Sequence, residues 1–207
     1  MSDRPDARAA SPGLAARLGT LRRRLVRGAW MVRFERVLDA SDAAPPAAPA
    51  GVAVRRATPA DDVLVDALAL GREPMARRRA RGETAFLAAL DGRPVGCTFL
   101  ARAPVTLDGY LLAHAPRPDE AYHYGLHVLR DARRRGVADA LSRAVAAAAR
   151  ADGARVLTCW VDEANRAGVA VQDRVGLRRR ERMLLIVVAN AVSLIPWRRT
   201  LAPEGTR

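Results

Sequence analysis

One short run, Arg133-Arg134-Arg135-Gly136-Val137-Ala138, constrains this chain more than any other. Ahead of it, Tyr122 to Leu129 reads as a strand. Behind it, Val137 to Asp152 carries a helical apolar stripe, which Gly153 stops in the C-cap position. Strand, tight glycine turn and helix in that order gather unpaired backbone N–H groups, the positive end of a helix dipole and several guanidinium groups around one anion-sized hollow. The expected ligand carries phosphates.

At 207 residues the chain has the size of one domain with an extension. Half of it is apolar but only 4% is aromatic, so the core must be aliphatic. All 35 basic residues are arginine, set against 22 acids, and the net charge is +13. That charge makes nucleic acid a partner to weigh. No interleaving of basic and aromatic residues supports it, and arginines spread over solvated faces account for most of the excess. Cys97 and Cys159 lie among apolar neighbours and read as buried thiols of a reducing compartment. No metal site is expected. Met1 to Ala10 is polar and lacks the apolar core of a secretory signal, which points to the cytoplasm.

Composition divides the chain into an arm, residues 1–50, and a domain, residues 51–207. Met1 to Gly13 reads as disordered, and Ser41 to Ala50 as a proline-alanine linker. Between them Leu14, Leu18, Leu21 and Leu25 mark a basic amphipathic helix over Leu14 to Arg27, and Trp30, Val32 and Phe34 alternate as in a strand. The helix is either an arm packed on its own domain or a segment for anionic lipid or a partner.

From Gly51 the pattern is regular. Val52 to Arg56 is a strand. Thr58 caps a helix with Pro59 at its first position and Asp61 completing an acidic capping box. Arg72 to Arg81 reads as a second helix. Thr84 to Leu90 and Pro94 to Arg102 are strands joined at Asp91-Gly92, a hairpin signal. Ala103 to Glu120 is a long loop with room for a short strand near Tyr110. Val156 to Val161 is a strand, Arg166 to Arg174 a helix closed by Gly176, and Leu177 to Ala189 a last long strand. With Asn190 and Ser193 as interruptions, the apolar run from Met183 reaches Ile195 before Pro196-Trp197-Arg198-Arg199. It is too short for a membrane helix, which needs about 20 residues, and a buried strand is expected. A tryptophan beside arginines is also an interfacial pattern, and an apolar last strand suits a homodimer, so peripheral membrane contact and self-association stay open.

Asn165 follows the strand at Val156, and Gly168, Val171, Gly176 and Leu177 follow Asn165 at fixed offsets. With Arg133, Gly136 and Ala138 this resembles the GCN5-related N-acetyltransferase (GNAT) superfamily, from about Val52 to Arg182. The acyl-CoA signature Q/R-x-x-G-x-G/A is met at 133, 136 and 138. The later Asn and Gly-Phe pattern is met at Asn165, Gly168 and Gly176, with Leu177 in place of phenylalanine. The resemblance implies an α/β acyl-CoA N-acyltransferase fold: a central mixed, mostly antiparallel sheet, helices on both faces and a V-shaped splay between two central strands.

It also implies a donor, acetyl-CoA or another short acyl-CoA. Arg133, Arg134, Gly136, Val137 and Ala138 would hold the pyrophosphate, small residues letting the main chain come close. Leu126 and Val128 would offer a strand edge to the pantetheine arm, and Asn165 would reach it from the other side. The family's acid, a tyrosine seven residues after the asparagine, is replaced by Gln172, and its carboxylate base falls on Tyr124. Tyr124 and His123 are the remaining catalytic candidates, each equally readable as pocket lining. The implied activity is transfer of an acetyl group to a primary amine. The alternative is a non-catalytic acyl-CoA sensor or scaffold of the same fold. Net positive charge favours neutral or anionic acceptors over polyamines.

Overall fold

A computed structural model describes residues 26–43, 47–69, 73–107, 110–189 and 191–202. The expected helix at Leu14 therefore lies outside the described residues, apart from Val26 and Arg27, which are extended. The described strands are β1 (Val26–Val37), β2 (Val52–Arg56), β3 (Thr84–Leu90), β4 (Arg93–Ala101), β5 (Val105–Leu107), β6 (Leu112–His114), β7 (Glu120–Val128), β8 (Val156–Asp162), β9 (Arg178–Val188) and β10 (Val192–Thr200). The helices are α1 (Asp62–Leu68), α2 (Met75–Ala80), α3 (Val137–Ala151) and α4 (Arg166–Arg174).

Local chemistry explains most boundaries. The Thr58 box forms as expected: the Asp61 carboxylate accepts from the Thr58 backbone N–H at 2.7 Å and hydroxyl at 2.8 Å, ahead of α1. Asp91 and Gly92 both take positive φ, 51° and 80°, the geometry of a tight type I′ hairpin turn between β3 and β4. The loop expected from Ala103 instead holds a small hairpin, β5 and β6, reversing at Tyr110.

Eight strands form one sheet in the order β10-β9-β1-β8-β7-β4-β3-β2. All pairings within it are antiparallel except β7 with β8. The expected boundary at residue 50 leaves β1 with the arm, whereas β1 lies inside this sheet between β8 and β9. Met31, Val32 and Phe34 are buried there. Burial of such side chains contributes about 1.5–3 kcal/mol each. Arg33 locks the position by bonding Glu120 of β7 at 3.1 Å across one strand. Burial disfavours the charged form of Glu120, but hydrogen bonds from His114, Thr158 and Arg33, with the Arg33 charge, outweigh it and bring its pKa down to about 2.

The two sheet faces have different covers. α3 packs Leu141 and Val145 against Phe86, Ala88, Val95 and Leu157, and Val169 of α4 joins Phe34, Cys159 and Val161 on the same side. On the other side α1 and α2 bring Val65, Leu68 and Met75 onto Ala85, Leu87, Cys97 and Phe99. The β5–β6 hairpin covers the remainder with Leu107, Tyr110 and Leu112 around Met31 and Trp160. The tail departs from its expected buried strand. The chain turns at Ala189, and β10 runs back along the outside of β9 with Val192, Leu194, Ile195 and Trp197 exposed. Trp30 and Trp197 flank Leu184 in register, their rings edge to face at 5.3 Å.

The splay sits between β7 and β8. Their parallel pairing covers only Glu120 to Tyr122 of β7, against Val156 to Thr158. Beyond it β7 stays with β4 but bulges. Phe99 faces Tyr124 and Cys97 faces His127, so Gly125 and Leu126 together stand opposite Thr98. Gly125 makes this possible with φ +65°, and a Cβ there would lie 2.5 Å from the Phe99 ring.

Candidate acyl-transfer site

The open side of the splay is a cleft of about 410 Å³. β7 contributes His123 to His127, β8 contributes Cys159 to Asp162, and Asn165, Gly168 and Gln172 close one side. Arg78 and Phe99 line it from the α2 side, Leu107 and Tyr110 from the β5–β6 hairpin.

The glycine turn stands where β7 leaves the sheet. Residues 130–132 make one 3₁₀ turn, and Arg134 and Gly136 take left-handed φ values of 62° and 77° before α3 begins at Val137. A Cβ on Gly136 would lie 2.6 Å from Pro49, which packs against the back of the turn. Arg133, Arg134 and Arg135 are exposed, Val137 is buried, and Ala138 is half-buried. Arg133 folds back, its Nε donating to the Val128 carbonyl at 3.1 Å. The arginines thus stay exposed at the start of α3, a geometry that suits an anion.

Leu126 and Val128 lie on the part of β7 that has left β8, as an exposed strand edge requires. Asn165 is the N-cap of α4, its Oδ1 accepting from Gly168 N at 3.0 Å. A Cβ at 168 would lie 2.7 Å from Asn165 Nδ2, which explains the small residue three positions on.

Neighbouring β7 residues present Tyr124 and His123 to opposite faces. The Tyr124 hydroxyl donates to Glu83 and accepts from Arg78 Nη1 at 2.6 Å, while its ring stacks beside Tyr122 and Phe99. Burial first, then the bond to Glu83, pushes the Tyr124 pKa well above the tyrosine range. Glu83 is fully buried at its side chain and also meets Arg81 at 2.7 Å. Arg78 lies over Phe99, 4.3 Å from the ring centre.

His123 is 1% exposed, and burial pulls its pKa down to about 4. Its Nε2 lies 2.8 Å from Thr98 Oγ1, which gives its one proton to the Tyr124 carbonyl at 3.0 Å. Thr98 must therefore accept from His123, so the proton sits on Nε2 and Nδ1 carries the lone pair. Among the described residues that buried Nδ1 has no hydrogen-bond partner, and neither has the buried Gln172 Oε1. Both residues line the cleft.

The acetyltransferase (GNAT) family pattern matches residues 56–177, more than half of the chain. The chain belongs to the GNAT family. No curated protein matches it. A GCN5-related N-acetyltransferase from Sphaerobacter thermophilus superposes with a TM-score of 0.58 at 19% identity, covering 91% of this chain and 57% of its own. A second from Kribbella flavida gives 0.54 at 19%, covering 84% and 63%. A GNAT-family protein from Novosphingobium aromaticivorans gives 0.56 at 23%, covering 79% and 66%. At these identities the likeness is one of fold. This GNAT chain spans 57–66% of the length of those three structures.

Sequence reasoning missed Gly125, Glu83, Arg78 and Asp162. A glycine inside a strand run is itself a bulge signal, so Gly125 was open to detection. Glu83 and Arg78 acquire meaning only by meeting Tyr124, 41 and 46 residues away. Among the described residues no helix is long and apolar enough to cross a membrane, and no three His, Cys, Asp or Glu residues group as metal ligands.

Proposed function

We propose that this GNAT chain transfers an acetyl group, or another short acyl group, from its CoA thioester to a primary amine. The observation that carries the reading is the splay itself: a strand edge at Leu126 and Val128 runs from the glycine turn toward a cleft in which, among the described residues, two buried polar atoms have no partner. The backbone N–H groups from residue 134 to 138, with Arg134 and Arg135, would hold the pyrophosphate. Leu126 and Val128 would pair with the pantetheine arm, and Asn165 Nδ2 with Gln172 Oε1 would meet its amides from the opposite wall.

His123 is the proton acceptor in this reading. Its Nδ1 takes the proton as the amine nitrogen attacks the thioester carbon, the new amide bond forms and the C–S bond breaks. A thiolate with a pKa near 8.5 leaves without an acid beside it, which fits the absence of one at Gln172. Tyr124 gives its proton to Glu83 and accepts from Arg78, so it meets the amine as a fixed wall of the cleft. The non-catalytic alternative has Gln172 in its favour and predicts binding without turnover.

Calorimetric titration with acetyl-CoA should give micromolar binding, and Gly136→Glu should abolish it by filling the turn and adding a negative charge. CoA-thiol release across an amine panel then separates enzyme from sensor. Absence of acetyl-CoA binding to the intact chain would overturn both readings; binding without turnover would leave the sensor.

A further inference from the structure

The cleft carries two kinds of charge, and they are treated differently. Arg78 is answered by Glu83 at 3.4 Å and Glu73 at 3.7 Å. Among the described residues no arginine pairs with Asp162, although its neighbour Glu163 is clamped by Arg182 at 2.7 and 2.8 Å. Among the described residues this leaves Asp162 as a carboxylate in the cleft able to take another cation.

Its surroundings suit that role. The Tyr110 hydroxyl donates to Asp162 Oδ2 at 3.0 Å, and Ala164 N donates to Oδ1 at 2.9 Å, which fixes the carboxylate while leaving each oxygen further lone-pair capacity. Trp160 and Tyr110 bring aromatic rings to the same end of the cleft, the surface a desolvated ammonium prefers. Asp162 lies four residues past Thr158, where β7 and β8 part. At a strand's rise that is about 13 Å from the vertex of the splay, and about 10 Å from the level of His123.

We propose that Asp162, Trp160 and Tyr110 form a subsite for a second ammonium group of the acceptor, which makes the acceptor an extended polyamine. The inference rests on the acyl-transfer reading and names its substrate class. It reverses the expectation drawn from net charge. The +13 is distributed over the whole surface and screened beyond roughly 10 Å, whereas this carboxylate acts at contact distance.

The test is calorimetric titration of the full chain with spermidine and with butylamine, without acyl-CoA, so that it is independent of donor binding. Spermidine should bind at least tenfold more tightly than butylamine, and Asp162→Asn should remove that advantage. Asparagine keeps the acceptor for Ala164 N, so the turn into α4 survives, while the charge and the acceptor for the Tyr110 hydroxyl are lost. The proposal is overturned if spermidine binds no better than butylamine or does not bind. It is equally overturned if Asp162→Asn weakens spermidine by less than twofold. Acetyl-CoA binding with turnover of simple amines would then leave the acyl-transfer reading standing.

Discussion

The proposed donor and acceptor sites are built by different means. On the donor side the work is done by backbone: a turn at Arg134 and Gly136, the first N–H groups of α3, and a strand edge freed by the bulge at Gly125. On the acceptor side it is done by side chains from four separate segments, meeting as Glu83, Tyr124 and Arg78 and as Asp162 with Tyr110. Backbone sites need special φ values and small residues at fixed offsets. Side-chain sites need only that distant parts of the chain arrive together, and leave no local pattern.

The largest effect that would break this contrast concerns His123, which stands between the two sites. His123→Gln should lower kcat about 100-fold with the acetyl-CoA Kd unchanged, because a positioned general base contributes about 10²–10⁴. The measurement is CoA release with whichever amine turns over, beside calorimetry of the donor. A kcat within threefold of the parent would return His123 to pocket lining.

The same residue predicts an acid liability. Folded His123 titrates near 4 because it is buried, against 6.5 for an ordinary histidine. The unfolded chain therefore takes up a proton that the folded chain refuses. The His123 contribution is intact above about pH 6.5 and is lost as pH falls from there towards 4, amounting to about 3 kcal/mol. Denaturant melts at pH 7 and pH 4.5 should show this loss, and His123→Gln should reduce it. An unchanged pH slope in the variant would place the titrating group elsewhere.

How much was legible in the sequence follows the same division. Gly136, Asn165 and Gly168 could be read because each answers a backbone demand within a few residues: a left-handed φ, a helix cap, and a cap that leaves no room for a Cβ. The hairpin at Asp91-Gly92 and the cap at Thr58 were legible for the same reason. β1 was legible as a strand through Trp30, Val32 and Phe34, but not its place inside the sheet. That depends on pairing with β8 and β9, which lie far along the chain. β10 was missed because the run to Ile195 is apolar apart from Asn190 and Ser193, and no glycine announces the reversal at Ala189, whose φ is 50°.

The smallest effect sharpens the acceptor side. If Glu83 matters only by holding the Tyr124 hydroxyl, the two residues form one unit, and their substitutions must not add. Glu83→Gln and Tyr124→Phe should each lower kcat/KM about tenfold, and the double variant should fall no further than the worse single, a coupling of about 1.4 kcal/mol. Glu83→Gln also strips charge from a carboxylate that meets Arg78 and Arg81, so it alone should lower the melting temperature. Additive losses in kcat/KM would mean that Glu83 reaches the acceptor by a route other than Tyr124, and the two sites would then share a charge network instead of meeting only at His123.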